Sequence, residues 1–221
     1  MTNEPPNKLS LIYTDTIKYW KKINMQIQTI NTKNKEALMR VDLDESLTRS
    51  HIEAANLSPF QRILLTTNGT LTEILEAYLF EPIQIVKLAE DIISTKQDIP
   101  ALDLKTGSEV IDRKVLLQGK ISRKNFIYAE SILVIERLEP KFRDELLKSK
   151  IPMGRLWLDH KIETFKEIID SSQEIAKKLS DYFKVQTEDR MLSRTYRVFS
   201  NHQPIMMITE KFPESYFLKN F

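Results

Sequence analysis

The sequence predicts an α+β fold: an antiparallel sheet of about six strands with helices on one side. Three observations carry that prediction. From Ile83 onward, six stretches follow a strand-like period rather than a helical one. The connections between several neighbouring stretches are short and polar, which favours antiparallel pairing. Helix-start signals precede the first strand and recur between the strands.

Taken in order, residues 1–8 form a polar tip with prolines at 5 and 6. Leu9–Ile23 reads as a helix with Tyr13, Ile17 and Trp20 along a stripe, Thr29–Glu36 as a loop, and Asp42–Asn56 as a second helix. Residues 1–56 are therefore expected to be a partly helical N-terminal extension, and 57–221 the main domain, the two forming one structural unit. Ser58-Pro59 is a helix cap followed by proline at the first helical position. It opens a helix over Phe60–Leu65 that stops near Asn68-Gly69. Thr70-Leu-Thr-Glu73 has the form of a capping box for a helix to about Leu79, which Glu81-Pro82 ends. Strands follow at 83–92, 109–119, 125–136, 162–169, 192–200 and 204–212. Gly119–Asn125 and Asn201-His-Gln203 suit hairpin connections. Helices are expected over Pro140–Leu147 and Ser172–Phe183, the second on the stripe Ile175, Leu179, Phe183.

Composition narrows the function. With 221 residues, 41% hydrophobic and 29% charged, the chain suits one globular domain with a sizeable core. A net charge of +2 gives no basic face for nucleic acid. There is no cysteine, which removes disulfides, thiolate zinc sites and a Cys nucleophile. No apolar run reaches the about 20 residues needed to span a bilayer, and the N-terminus lacks a signal-peptide core, so a cytoplasmic location is expected. Gly69, Gly107, Gly119 and Gly154 form no phosphate-cradling motif, and no serine-nucleophile elbow is present. His51, His160 and His202 lack metal-ligand spacing.

Two charges then stand out. Alternation along Glu109–Leu117 puts Arg113 on one face with Ile111, Val115 and Leu117. Along Pro204–Pro213 it puts Glu210 with Met206, Ile208 and Phe212. An unpaired ion on an apolar face costs several kcal/mol or more, roughly, so each needs a partner or a ligand. The spacing leaves structural ion pairs and a small-molecule site equally open. Glu130, which shares a face with Tyr128 and Ile132, is a candidate structural partner for Arg113. Ile151-Pro-Met-Gly-Arg155 reads either as a plain connection or as a turn where Gly154 lets a backbone N–H approach a ligand. The helical pair around Asn68-Gly69 is either a simple hairpin or a flap over a pocket.

In order along residues 57–213, the segments Leu57–Thr72, Arg113–Leu117, Tyr128-Ala-Glu-Ser131, Ile151–Trp157 and Thr209-Glu210 resemble the chorismate pyruvate-lyase family, in its archaeal, cyanobacterial and mycobacterial branch. The resemblance implies an antiparallel sheet with helical flaps over an internal site. It also implies an elimination that releases pyruvate from chorismate and leaves 4-hydroxybenzoate, without metal or organic cofactor. By the same resemblance Arg113 holds the substrate carboxylate and Glu210 meets the ring hydroxyl. Met153, after Pro152, offers a backbone N–H near the carboxylate, and Leu71 a flap backbone contact; Gly154 and Thr209 fall in the matched segments as substrate-binding positions. Tyr128–Ser131 departs from the bacterial branch, where an arginine stands near position 130, and Ser171–Met191 reads as an insertion. Two other functions are compatible with such a fold: a non-catalytic aromatic-acid sensor, as in some transcription regulators, and a lyase for a related enolpyruvyl ether. Residues 1–56 hold no helix-turn-helix pattern or basic cluster that would favour the sensor.

Overall fold

The computed structural model describes residue 52 and residues 56–148 and 151–218. The helices expected over 9–23 and 42–56, most of the N-terminal extension and His51 lie outside the described residues. Helix α1, Pro59–Thr66, begins with the expected cap: Ser58 Oγ accepts from Gln61 N at 3.1 Å and Gln61 Oε1 accepts from Ser58 N at 2.9 Å. Helix α2, Leu71–Leu79, ends at Phe80 in the left-handed region. Thr70 does not supply the capping box expected of it, because its side chain makes no bond to the helix end; its methyl lies against Gly154 instead.

Six strands follow: β1 Ile83–Ser94, β2 Glu109–Gly119, β3 Asn125–Val134, β4 Phe165–Ile175, β5 Arg190–Ser200 and β6 Gln203–Pro213. They form one antiparallel sheet in the order β1-β2-β3-β6-β5-β4. Two three-stranded meanders thus meet where β6 pairs with β3. The crossing between them carries helix α3, Pro140–Lys148, and helix α4, Met153–Asp159. The β5–β6 hairpin turns through Asn201 (φ 49°) and His202 (φ 62°), the pair of left-handed residues that a tight two-residue hairpin requires.

The clearest difference from expectation is β4. It runs to Ile175, where a helix was expected from Ser172. The stripe Ile175, Leu179, Phe183 is helical in period, but Ser172–Ile175 complete their ladder against Arg190–Ser193, and pairing outweighs local pattern. The helix contracts to a 3-10 turn at Lys177–Leu179 and a single turn, α5, Ser180–Phe183.

Alternation sorts the core onto two faces. Helices α1 and α2 cover Val115, Leu117, Ile127 and Ala129, while α3 and α4 cover Ile111, Leu133, Tyr196 and Ile208. The opposite face is closed by short pieces: Ala101 and Leu102 on Val110 and Met207, and Phe183 on Leu116 and Tyr128. Between the two helical layers, on the better-covered face, lies a cavity.

Candidate active site

The register builds the site in two rows on the helix-covered face. One row runs Glu90 (β1), Arg113 (β2), Ser131 (β3), Ile208 (β6), Tyr196 (β5). The adjacent row on that face runs Lys87, Val115, Ala129, Glu210, Arg194. Arg113 and Glu210 are thus separated by β3, two strand spacings or about 10 Å of sheet. The floor between them is Ala129 and Ser131, both small side chains. Both charges, with Ala129, Ser131 and Val115, line one cavity of about 60 Å³. Its roof is Thr70, Leu71 and Thr72 from the start of α2, and Pro152, Met153, Gly154 and Trp157 from α4. An ideal Cβ on Gly154 would stand 2.2 Å from Thr70 Cγ2, so only glycine lets α4 approach the α1–α2 loop this closely. An outer cavity of about 280 Å³ shares Thr72 and Pro152 with the inner one.

Arg113 is 2% exposed. Its Nε lies 2.9 Å from Glu90 Oε2, an ion pair without hydrogen-bond alignment, and its Nη2 is buried with no partner. Burial pushes the guanidinium below its usual range and Glu90 offsets part of that. Glu90 is steadied in turn by Lys87, whose Nζ donates to Glu90 Oε1 at 2.9 Å and to Leu147 O at 2.7 Å near the end of α3. Glu130 is not the partner expected of it. It lies one residue out of phase, on the opposite face, with Lys211 Nζ 3.5 Å away.

Glu210 is 5% exposed and doubly bound: Arg194 Nε donates to Oε2 at 2.7 Å and the Tyr196 hydroxyl to Oε1 at 3.0 Å. Burial, then the neighbouring carboxylate, push Tyr196 well above its usual range, so it stays a donor. Arg194 also donates from Nη1 to Thr67 O at 2.8 Å, tying the sheet to the α1–α2 loop. No arginine stands near position 130, as the departure in Tyr128–Ser131 implies; Arg194 reaches the glutamate from β5. Thr209 does not join the site. Next to Glu210, it points to the other face and bonds Thr195, with their hydroxyls 2.9 Å apart.

The sequence reading missed Arg194, Tyr196, Glu90 and Lys166. Arg194 carried the signal that exposed Arg113: alternation sets it among Leu192, Tyr196 and Val198. Lys166 stands near the start of β4 among charged residues and had no such contrast. It lines the cavity at 8% exposure, and its Nζ donates to Gly69 O at 2.9 Å, 5.0 Å from the Trp157 ring centroid. Burial pushes it down to about 8, with Glu210 opposing. Among the described residues no cluster of His, Asp or Glu is arranged to hold a metal, and no helix is long and apolar enough to cross a membrane.

Fold and site together define a sheet-and-flap domain with an internal cavity lined by buried cations and a buried carboxylate. The effector domain of PhnF from Mycobacterium smegmatis shares the fold, with a TM-score of 0.53 at 13% identity over 67% of this chain and 91% of that one. The family model Chorismate pyruvate-lyase Rv2949c-like matches residues 65–220, and the chain belongs to that family. Chorismate pyruvate-lyase of Mycobacterium leprae is 34% identical over 77% of this chain and 81% of its own length. The Mycobacterium tuberculosis enzyme of that name is 32% identical over 75% and 85%. A protein named Putative lyase MJ0807, of Methanocaldococcus jannaschii, is 30% identical over 69% and 77%.

Proposed function

We propose that the protein is a chorismate pyruvate-lyase that converts chorismate to 4-hydroxybenzoate and pyruvate. One observation carries the reading beyond family membership: a buried guanidinium with an unpaired Nη2 and a buried carboxylate face the same cavity across a floor of Ala129 and Ser131. A cation and a carboxylate facing one cavity give the polarity a para-hydroxy ring acid calls for. Arg113 holds the ring carboxylate, the planar guanidinium suiting a fork of charged hydrogen bonds. Glu210 takes the ring hydroxyl at the other end. Met153 N–H and the Leu71 backbone close over the ligand from α4 and α2, while Gly154 keeps the two flaps close. Thr209 has no place in this assignment.

The reaction breaks the ether bond between ring and enolpyruvyl arm and removes the hydrogen on the carbinol carbon. The ring becomes aromatic and the arm leaves as pyruvate. Aromatisation supplies much of the driving force, so the site's task is to hold one reactive conformer away from water. The departing hydrogen passes to the arm's methylene carbon within the substrate or, by the second route, to Glu210. The sensor reading rests on fold alone, and fold does not set function.

The test is incubation of purified protein with chorismate, followed by product separation and ultraviolet detection. Stoichiometric 4-hydroxybenzoate and pyruvate are expected. A protein that binds chorismate and leaves it intact would remove the lyase reading. Isochorismate and aminodeoxychorismate in parallel define the substrate by product mass.

A further inference from the structure

We propose that Lys166 holds the second carboxylate of the substrate, the one on the enolpyruvyl arm, and thereby selects the dianionic substrate over its monoanionic aromatic product. The inference rests on the lyase reading of the cavity.

Charge balance opens the argument. Chorismate brings two carboxylates into a closed, low-dielectric space, and each requires a cation or several N–H donors. Arg113 serves one. Arg194 is engaged with Glu210 through Nε and with Thr67 O through Nη1; its Nη2 is buried without a partner, but the residue is not part of the cavity wall. Lys166 is the other cation among the lining residues.

Its position fits the arm. The enolpyruvyl ether is carried by the ring carbon next to the one bearing the hydroxyl, so the arm emerges at the Glu210 end. The sheet order puts β5 and then β4 beyond β6 on that side, away from Arg113. Tyr196 on β5 lines the cavity there, and Lys166 on β4 lies beyond it, its Nζ 5.7 Å from the Tyr196 ring centroid and 5.0 Å from that of Trp157. An arm passing over Tyr196 ends at this ammonium.

A purely structural role explains the residue less well. Lys166 does brace the α1–α2 loop through Gly69 O, but that bond uses one of three N–H donors and a neutral side chain would make it without burying a charge. The remaining donors meet aromatic faces, and burial has already lowered the group's proton affinity. A carboxylate there completes the ammonium's shell and ties the flap loop to the substrate through the same atom. It also fixes the rotation of the arm, setting its methylene carbon beside the hydrogen that leaves the ring. After elimination the contact passes to pyruvate and no longer holds the aromatic product.

The experiment compares the full-length wild-type chain with Lys166→Met and Lys166→Arg, folding being checked by circular dichroism. Chorismate turnover and the binding of chorismate and 4-hydroxybenzoate are measured at pH 7, binding by quenching of tryptophan fluorescence. Lys166→Met is expected to lose on the order of 10- to 100-fold in chorismate affinity and in kcat/KM, as for one charged hydrogen bond. Its affinity for 4-hydroxybenzoate should stay within about 3-fold, because that ligand lacks the arm, and Lys166→Arg should recover part of the loss. Equal losses for both ligands, or no loss for chorismate, would overturn the proposal. If Lys166→Met does not fold, Lys166→Gln is read by the same criteria. A wild-type chain that binds chorismate without releasing pyruvate sinks the lyase reading alone, since the two affinities still report on Lys166. A wild-type chain that binds 4-hydroxybenzoate and not chorismate sinks both.

Discussion

At the residue scale the site consists of buried charges that hold one another. Removing one member of a buried pair strands the other, at about 3–5 kcal/mol, whereas a neutral isostere keeps much of the geometry. Arg194→Met is therefore expected to destabilise the fold by about 3 kcal/mol. Glu210→Gln, which still accepts from Arg194 or Tyr196, should melt closer to wild type while losing chorismate turnover; thermal melts and product assays on both variants check this. Arg113→Ala should reduce kcat/KM at least about 100-fold through loss of the carboxylate fork, and should also lower the melt, because Glu90 Oε2 is left buried without its cation although Oε1 keeps Lys87. Lys166 adds a pH signature, set by burial and by Glu210, Arg194 and Glu73 around it. Below pH 8 both folded and unfolded chains carry its proton, and the fold bears the cost of burying it. Between about 8 and the ordinary 10.5 only the unfolded chain holds the proton, so stability rises with pH across that window. Over the same range the empty site loses its second cation, and kcat/KM for chorismate should fall. Tm and rate profiles from pH 7 to 10, wild type against Lys166→Met, test both signs: the variant should lack both trends.

At the element scale the critical contact is α4 against the α1–α2 loop. Gly154→Ala would drive a methyl into Thr70 Cγ2, a 2.2 Å approach that forces the flaps apart. Weaker 4-hydroxybenzoate binding is expected. Thr70→Ser, which deletes that Cγ2, should restore it in the double variant, because the remaining Thr70 atoms stand at 3.5 Å or more. A double variant no better than Gly154→Ala would show that the glycine acts otherwise. The Ser58 cap is a second element-scale device. Its hydroxyl accepts from Gln61 N and donates to Phe217 O, joining the start of α1 to the end of the chain. Ser58→Ala should cost about 1 kcal/mol in a denaturant melt.

At the scale of the whole molecule, the inner cavity of about 60 Å³ is well below the roughly 150 Å³ of an apolar cavity that takes up benzene. A substituted ring enters only if the roof moves. The flaps are the parts expected to move, since the floor is a six-stranded sheet with both central strands paired. The outer cavity, sharing Thr72 and Pro152, lies where they would part. Hydrogen exchange should show 4-hydroxybenzoate slowing amides in the 67–72 and 153–157 segments while leaving those of β3 and β6 unchanged.

The sequence by itself determined six strands, their antiparallel sense, the Ser58 cap, and the two charges that do not suit apolar faces. Each of these is local: period, capping chemistry, or contrast between one residue and its neighbours. The tertiary structure decided the pairings. It gave Arg113 to Glu90 rather than Glu130, because register on β1 places Glu90 directly opposite while alternation on β3 turns Glu130 away. It removed Thr209 from the site for the same reason of phase, and extended β4 through Ser172–Ile175 because β5 offered a ladder. It also brought Lys166, about a hundred residues from the loop it braces, to the rim of the same cavity. Period and charge are properties of a strand; which charges meet is a property of the order in which strands lie side by side, and no local pattern encodes that order.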